Sequence, residues 1–213
     1  MLCDASPFFK AACKPEWMTP DERTIKLPED DPVAVQAMIY WMYHNEICIP
    51  EGLVSESDTD HLENDGMRTA WGLFVRLFIL GQKYQIAGLR NDAIDGILEL
   101  RKGFCLPLGI VPYAYRNTTP GSSLRYLILS IARYELESEN FEKWETPLCV
   151  EFIFDFARAC LRDKNYLDRE EENRADLQEC FCAAFHKHPL GNTQSPCVKL
   201  KQFIRNRKSN SSD

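Results

Sequence analysis

A chain of 213 residues with 32 acidic against 25 basic side chains, net −7, lacks the basic surface expected of a general nucleic-acid binder. Its 45% apolar share is ordinary for a globular chain, and no apolar run reaches the roughly 20 residues that cross a bilayer. Nine cysteines behind a start, Met1-Leu2-Cys3-Asp4, without a basic and apolar leader read as reduced thiols of an intracellular protein.

Met1 to Lys14 reads as helix, with Leu2, Cys3, Phe9, Ala12 and Cys13 able to share an apolar side. Ser6-Pro7 offers a second start inside it, Ser6 as N-cap and Pro7 in the first turn. Trp17 and Met18 follow in a loop punctuated by Pro15 and Pro20, where they either fold back onto the core or dock a partner. Phe8, Phe9, Trp17 and Met18 are the candidate partner-binding residues.

Thr24-Ile25-Lys26-Leu27 alternates as a short half-buried strand does. Asp31 then offers an N-cap and Pro32 a first helical residue. Val35, Met38, Ile39, Met42 and Tyr43 recur on one helical face, and Ala34, Ala37 and Trp41 widen it, so cover on more than one side is expected. Glu46-Ile47-Cys48-Ile49 returns to an extended pattern before Pro50. Residues 51–70 are polar and acidic and predict a flexible insertion.

Trp71 to Tyr84 is apolar all round, the signature of a helix at the centre of a layer. Gly88-Leu89 turns into a second helix with Leu89, Ala93, Ile94, Ile97 and Leu98 on its inner face. Further helices are predicted over Leu106–Arg116, Leu124–Tyr134 and Leu148–Leu161, with Ser123 capping the second. In the third, Val150, Phe154, Ala157 and Leu161 share one side, and Phe152, Phe156 and Cys160 another. Lys164–Asp176 is charge-dense, a solvated connector or exposed helix start, and residues 199–213 form a basic, serine- and asparagine-rich tail read as disordered.

Three segments in order carry a family likeness: Leu2-Cys3-x-x-Ser6-Pro7-Phe8-Phe9, then Ile25-x-Leu27-x-x-Asp30-x-Pro32-x-x-Val35 with Ile39-x-x-Met42-Tyr43, then Leu80-Gly81-Gln82-Lys83-Tyr84-Gln85-Ile86-Ala87-Gly88-Leu89. Together they resemble the BTB/POZ domain, in particular the divergent type abundant in filamentous fungi. The likeness implies a mainly α fold with a small residual β component (α+β). Residues 1–104 would form a BTB/POZ-like core, and 105–198 an all-helical extension. The family domain opens with strands that this chain does not carry upstream of Leu2, so it reads as N-terminally incomplete, its predicted strands short of sheet partners. The resemblance implies protein partners and self-association, and extends to adaptor duty for a cullin-type ubiquitin ligase. For that duty the family's apolar-x-glutamate motif is out of register around Trp17, Met18, Asp21 and Glu22. Neither membrane, nucleic acid nor small-molecule substrate is expected.

One segment could carry chemistry: Cys180-Phe-Cys182-Ala-Ala-Phe-His186-Lys-His188, with Cys197 beyond it. Cysteine and histidine are zinc's preferred ligands, and a structural site uses four. On a helix Cys182 and His186 are neighbours while Cys180 points about 200° away from Cys182. Cys182, His186, His188 and Cys197 are therefore the set for a metal-stabilised helical regulator, the alternative to the interaction module. Leu177, Cys180, Phe181, Ala184 and Phe185 equally form the face of a packed amphipathic helix. No phosphate loop, nucleophile elbow or His-Glu-x-x-His motif is present, so no cofactor and no enzyme activity are expected.

Overall fold

Ser6 divides the first fourteen residues into two helices, α1 (Leu2–Ala5) and α2 (Pro7–Ala12). Its hydroxyl accepts from Phe9 N at 3.2 Å, and Pro7 takes the first helical position, where its missing N–H costs nothing. The computed structural model describes residues 2–14, 16, 24–50, 53, 66–135, 148–162 and 185–187, which are mostly helical. After α2 come α3 (Pro32–His44), a 3-10 turn (Gly66–Arg68), α4 (Ala70–Lys83) and α5 (Ala87–Leu100). Then follow α6 (Ile110–Arg116), α7 (Ser123–Glu135) and α8 (Val150–Arg162).

Asp31 caps α3 as expected, its Oδ1 accepting from Ala34 N at 2.8 Å with Pro32 next. At the other end Asn45, with φ 57°, closes the helix in the left-handed conformation that asparagine tolerates well. The predicted strands are a correction: among the described residues there is no strand. Ile25, Leu27 and Ile47 are half-buried against the core while Thr24 and Lys26 are exposed. The alternation thus records which side chains are covered. A strand also needs a neighbour to take its backbone hydrogen bonds, and neither stretch has one among the described residues.

α4 is the centre. Ten of its fourteen residues are buried, and α5 and α3 pack against it. α5 presents Leu89, Ala93, Ile94 and Ile97 to it, all fully buried, with Leu98 half-buried. Gly96 allows the close approach: a Cβ there would lie 2.4 Å from the Phe74 ring. α6, α7 and α8 pack on one another, α6 touches α4, and the buried side chains form one continuous core. At the edge of that core Glu135 of α7 accepts from Leu106 N at 2.7 Å and faces Arg101 Nε at 3.7 Å. Burial raises the Glu135 pKa, against the opposing pull of that N–H and of Arg101.

Several boundaries shift. Residues 66–70, assigned above to the flexible insertion, form the 3-10 turn and open α4, with Thr69 and Ala70 buried. α6 begins at Ile110, not Leu106. Ser122, not Ser123, flanks α7, accepting from Leu124 N at 3.3 Å. Lys164–Asp176 and residues 199–213 lie outside the described residues.

The α4–α5 corner turns at Gln85, not at Gly88. Gln85 takes φ 57°, and Ile86 N donates to Gly81 O at 2.8 Å, a Schellman closure with glutamine where glycine is preferred. Left-handed backbone costs a non-glycine residue about 1–2 kcal/mol, more than the extra chain entropy glycine loses. Gln85→Gly should therefore raise stability by about 0.5–1 kcal/mol in urea unfolding. Gly96→Ala should do the opposite despite its better helix propensity, losing about 1 kcal/mol as the Phe74 contact is forced apart.

Candidate interaction surface

The segments around Ser6–Phe9, Asp30–Pro32 and Leu80–Leu89 meet at Tyr84. Its ring is 1% exposed and stacks on Phe9 with centroids 4.9 Å apart. Its hydroxyl donates to Asp30 Oδ2, and its backbone carbonyl accepts from the Ser6 hydroxyl. Lys83 Nζ reaches the other Asp30 oxygen at 2.8 Å. Two turns back on α4, Arg76 Nε lies 3.6 Å from Asp31 Oδ1. The two carboxylates before α3 are thus both engaged by α4. Gly88 lets α5 approach α3, since a Cβ there would lie 3.0 Å from the Trp41 ring. Trp41 Nε1 then donates to Asp92 Oδ2 at 2.6 Å.

This anchoring decides which side of α3 faces inward. Ala34, Ala37, Met38 and Trp41 are buried, and the two alanines let α4 come close. Val35 and Met42 are half-buried. Ile39 and Tyr43, read from the sequence as part of the core face, are 44% and 68% exposed. That is a correction with a plain cause: α3 is apolar on both sides, and side-chain volume alone does not say which side meets the smaller gap. The outer side carries Val33, Ile39, Tyr40 and Tyr43. Beside it lies a groove of about 380 Å³ lined by Leu27, Asp30, Pro32, Val35, Gln36 and Ile39. This apolar surface is the candidate functional site. Periodicity concealed it, because Ile39 and Tyr43 keep the spacing of core residues.

Phe9 belongs to the core, whereas Phe8 is 40% exposed, its ring T-shaped to Phe9 and tilted against Tyr84. Trp17 and Met18 lie outside the described residues, as do Cys182, His188 and Cys197. His186 is placed, and its Nε2 lies 2.7 Å from Asp95 Oδ1 on α5 with the imidazole almost wholly buried. The adjoining Lys187 backbone exchanges two hydrogen bonds of 2.9 Å with the Asn91 side chain. Phe185 stacks on Tyr126 at 5.3 Å. His186 therefore docks Phe185–Lys187 onto α5 and α7. Among the described residues no group of three or more His, Cys, Asp or Glu side chains is placed to hold a metal.

A second buried charge, which spacing did not single out, ties the later helices together. Arg125 donates to Thr118 Oγ1 at 3.0 Å, to the Tyr115 and Thr118 carbonyls, and to Glu151 of α8 at 3.1 Å. It also lies over the Tyr115 ring at 4.4 Å. Burial and then the nearby Asp155 push the Tyr115 pKa far up. No family model matches this chain, and no curated protein or solved structure matches it either. Among the described residues no helix is long and apolar enough to cross a membrane.

The Tyr84 junction titrates in a predictable direction. Burial, then the Asp30 hydrogen bond, raise Tyr84 above its ordinary value of 10.0, and the Asp30 bond raises Lys83 above 10.5. The folded chain therefore holds both protons longer than the unfolded chain. Their contribution is intact below pH 10 and lost as pH rises past it. Tyr84→Phe should cost about 1.5 kcal/mol at pH 7 and make the loss of stability above pH 10 shallower, read by urea unfolding across that range. Tyr113 and Tyr115, also raised by burial, keep some of the slope in the variant.

Proposed function

We propose that this chain is a non-enzymatic protein-interaction module, a BTB/POZ-like core carrying a helical extension and working as a regulatory scaffold or adaptor. The observation that carries the reading is the outer side of α3, where Ile39 and Tyr43 stay open beside a shallow apolar groove. Isolated exposed apolar residues are ordinary, but several along one helix rimming a groove mark a contact surface. Convergence of the three family-like segments on Tyr84 supports the reading of them as one unit, since Ser6, Phe9 and Asp30 each contact that residue.

The polar groups of this junction favour binding over catalysis. Ser6 both donates to Tyr84 O and accepts from Phe9 N, and Asp30 is held by Tyr84 and Lys83.

A photo-crosslinking residue at position 43 tests the reading in cells. Protein adducts are expected from that position, and Ile39→Asp in the same chain should reduce them at least about tenfold, the loss of a central apolar contact. The melting temperature of Ile39→Asp should stay within about 2 °C, because the side chain is on the surface. A crosslinker at the exposed Glu46 serves as control. Equal adduct yields at 43 and 46, both indifferent to Ile39→Asp, would contradict the proposal.

A further inference from the structure

α8 carries two apolar sides, and only one is covered. Phe152 is 1% exposed, meets Tyr115 edge-on at 5.6 Å, and Phe156 packs beside it. On the far side Val150, Phe154 and Leu161 are 66%, 67% and 70% exposed, with Ile153 at 46% and Ala157 exposed between them. Positions 150, 154, 157 and 161 follow the 4-3-4 spacing of a coiled-coil seam. Three large side chains left this open on one helix are unusual for a surface without a partner.

We propose that this side of α8 docks against α8 of a second copy of the same chain, the two helices antiparallel. Charge complementarity selects the occupant. Glu151, its side chain 69% exposed, and Arg158, also exposed, are seven residues apart and so occupy the same flank of the seam. An antiparallel pair that sets Val150 on Leu161 of the second copy, and Phe154 on its Ala157, brings Glu151 opposite Arg158. The two-fold axis makes that pair twice. Phe154 over Ala157 also matches a large side chain to a small one. A parallel pair would set Glu151 and Arg158 beside the other flank, which carries Ile153 and Cys160 and no charge.

A helix of 13 residues offers a seam of about 20 Å, short of the roughly 1,600 Å² of a standard stable interface. Association is therefore weak, with Kd on the order of 10–100 µM. This surface is distinct from the outer side of α3, so either reading can fail without the other.

Sedimentation velocity of the full chain from about 5 to 500 µM brackets that range. The mass is expected to rise from 24.6 kDa toward twice that value with concentration. Phe154→Asp should hold it at the monomer with its melting temperature unchanged. Glu151→Arg and Arg158→Glu should each weaken self-association about tenfold by setting like charges opposite each other. An equimolar mixture of these two variants should associate at least as tightly as the unmodified chain. In the mixture every facing pair is opposite in sign, and Arg158→Glu alone, which keeps the Arg125–Glu151 contact, separates the seam from the loss of that contact. A monomer throughout, a dimer indifferent to Phe154→Asp, or a mixture no tighter than either variant alone would each overturn the proposal. A monomer would place another segment of the chain, or a different protein, on this side of α8.

Discussion

The end of α4 depends on one side chain. Tyr84 closes that helix, and from there it stacks on Phe9, donates to Asp30 and offers its carbonyl to Ser6. A six-residue helix such as α2 has almost no stability of its own in water, so its place is set by what it docks on. The same holds for the entry to α3. Asp30 is bound by Tyr84 and Lys83 while its neighbour Asp31 caps the helix and faces Arg76. With α2 and α3 fixed to one corner of α4, the inner side of α3 is determined, and its outer side with it.

The later helices use the same physical device with a different residue. Arg125 is buried, yet its guanidinium meets two carbonyls, a hydroxyl, a carboxylate and an aromatic face, so the cost of removing its charge from water is offset. It joins the turn between α6 and α7 to the first turn of α8. That leaves α8 with Phe152 inward and Phe154 outward. In both halves a buried polar contact orients a helix that is apolar on two sides, and the second side stays exposed.

Signals that act within a few residues were legible in the sequence. Ser6-Pro7 and Asp31-Pro32 mark helix starts through their own hydrogen bonds and fixed φ, and both do so in the fold. The all-round apolar character of Trp71–Tyr84 likewise announced a buried centre. What failed were features that depend on a distant neighbour. Ile25 and Leu27 alternate as a strand would, but no strand lies alongside them among the described residues. The inner side of α3 turned on Ala34 and Ala37, small residues that periodicity counts for little. Gln85 carries no compositional sign of its left-handed backbone, since neither glycine nor asparagine stands there. The His186 contact with Asp95 spans 91 positions and leaves no local sign in the sequence.

α2 has no independent existence and is held as one unit with α3 and α4 through Tyr84. Native-state amide hydrogen exchange tests this most directly. The Phe9 and Lys10 amides, protected by the Ser6 hydroxyl and carbonyl, are expected to open with the same free energy as amides in the middle of α3 and α4. Exchange of the α2 amides at nearly unprotected rates, while α3 and α4 stay closed, would contradict it.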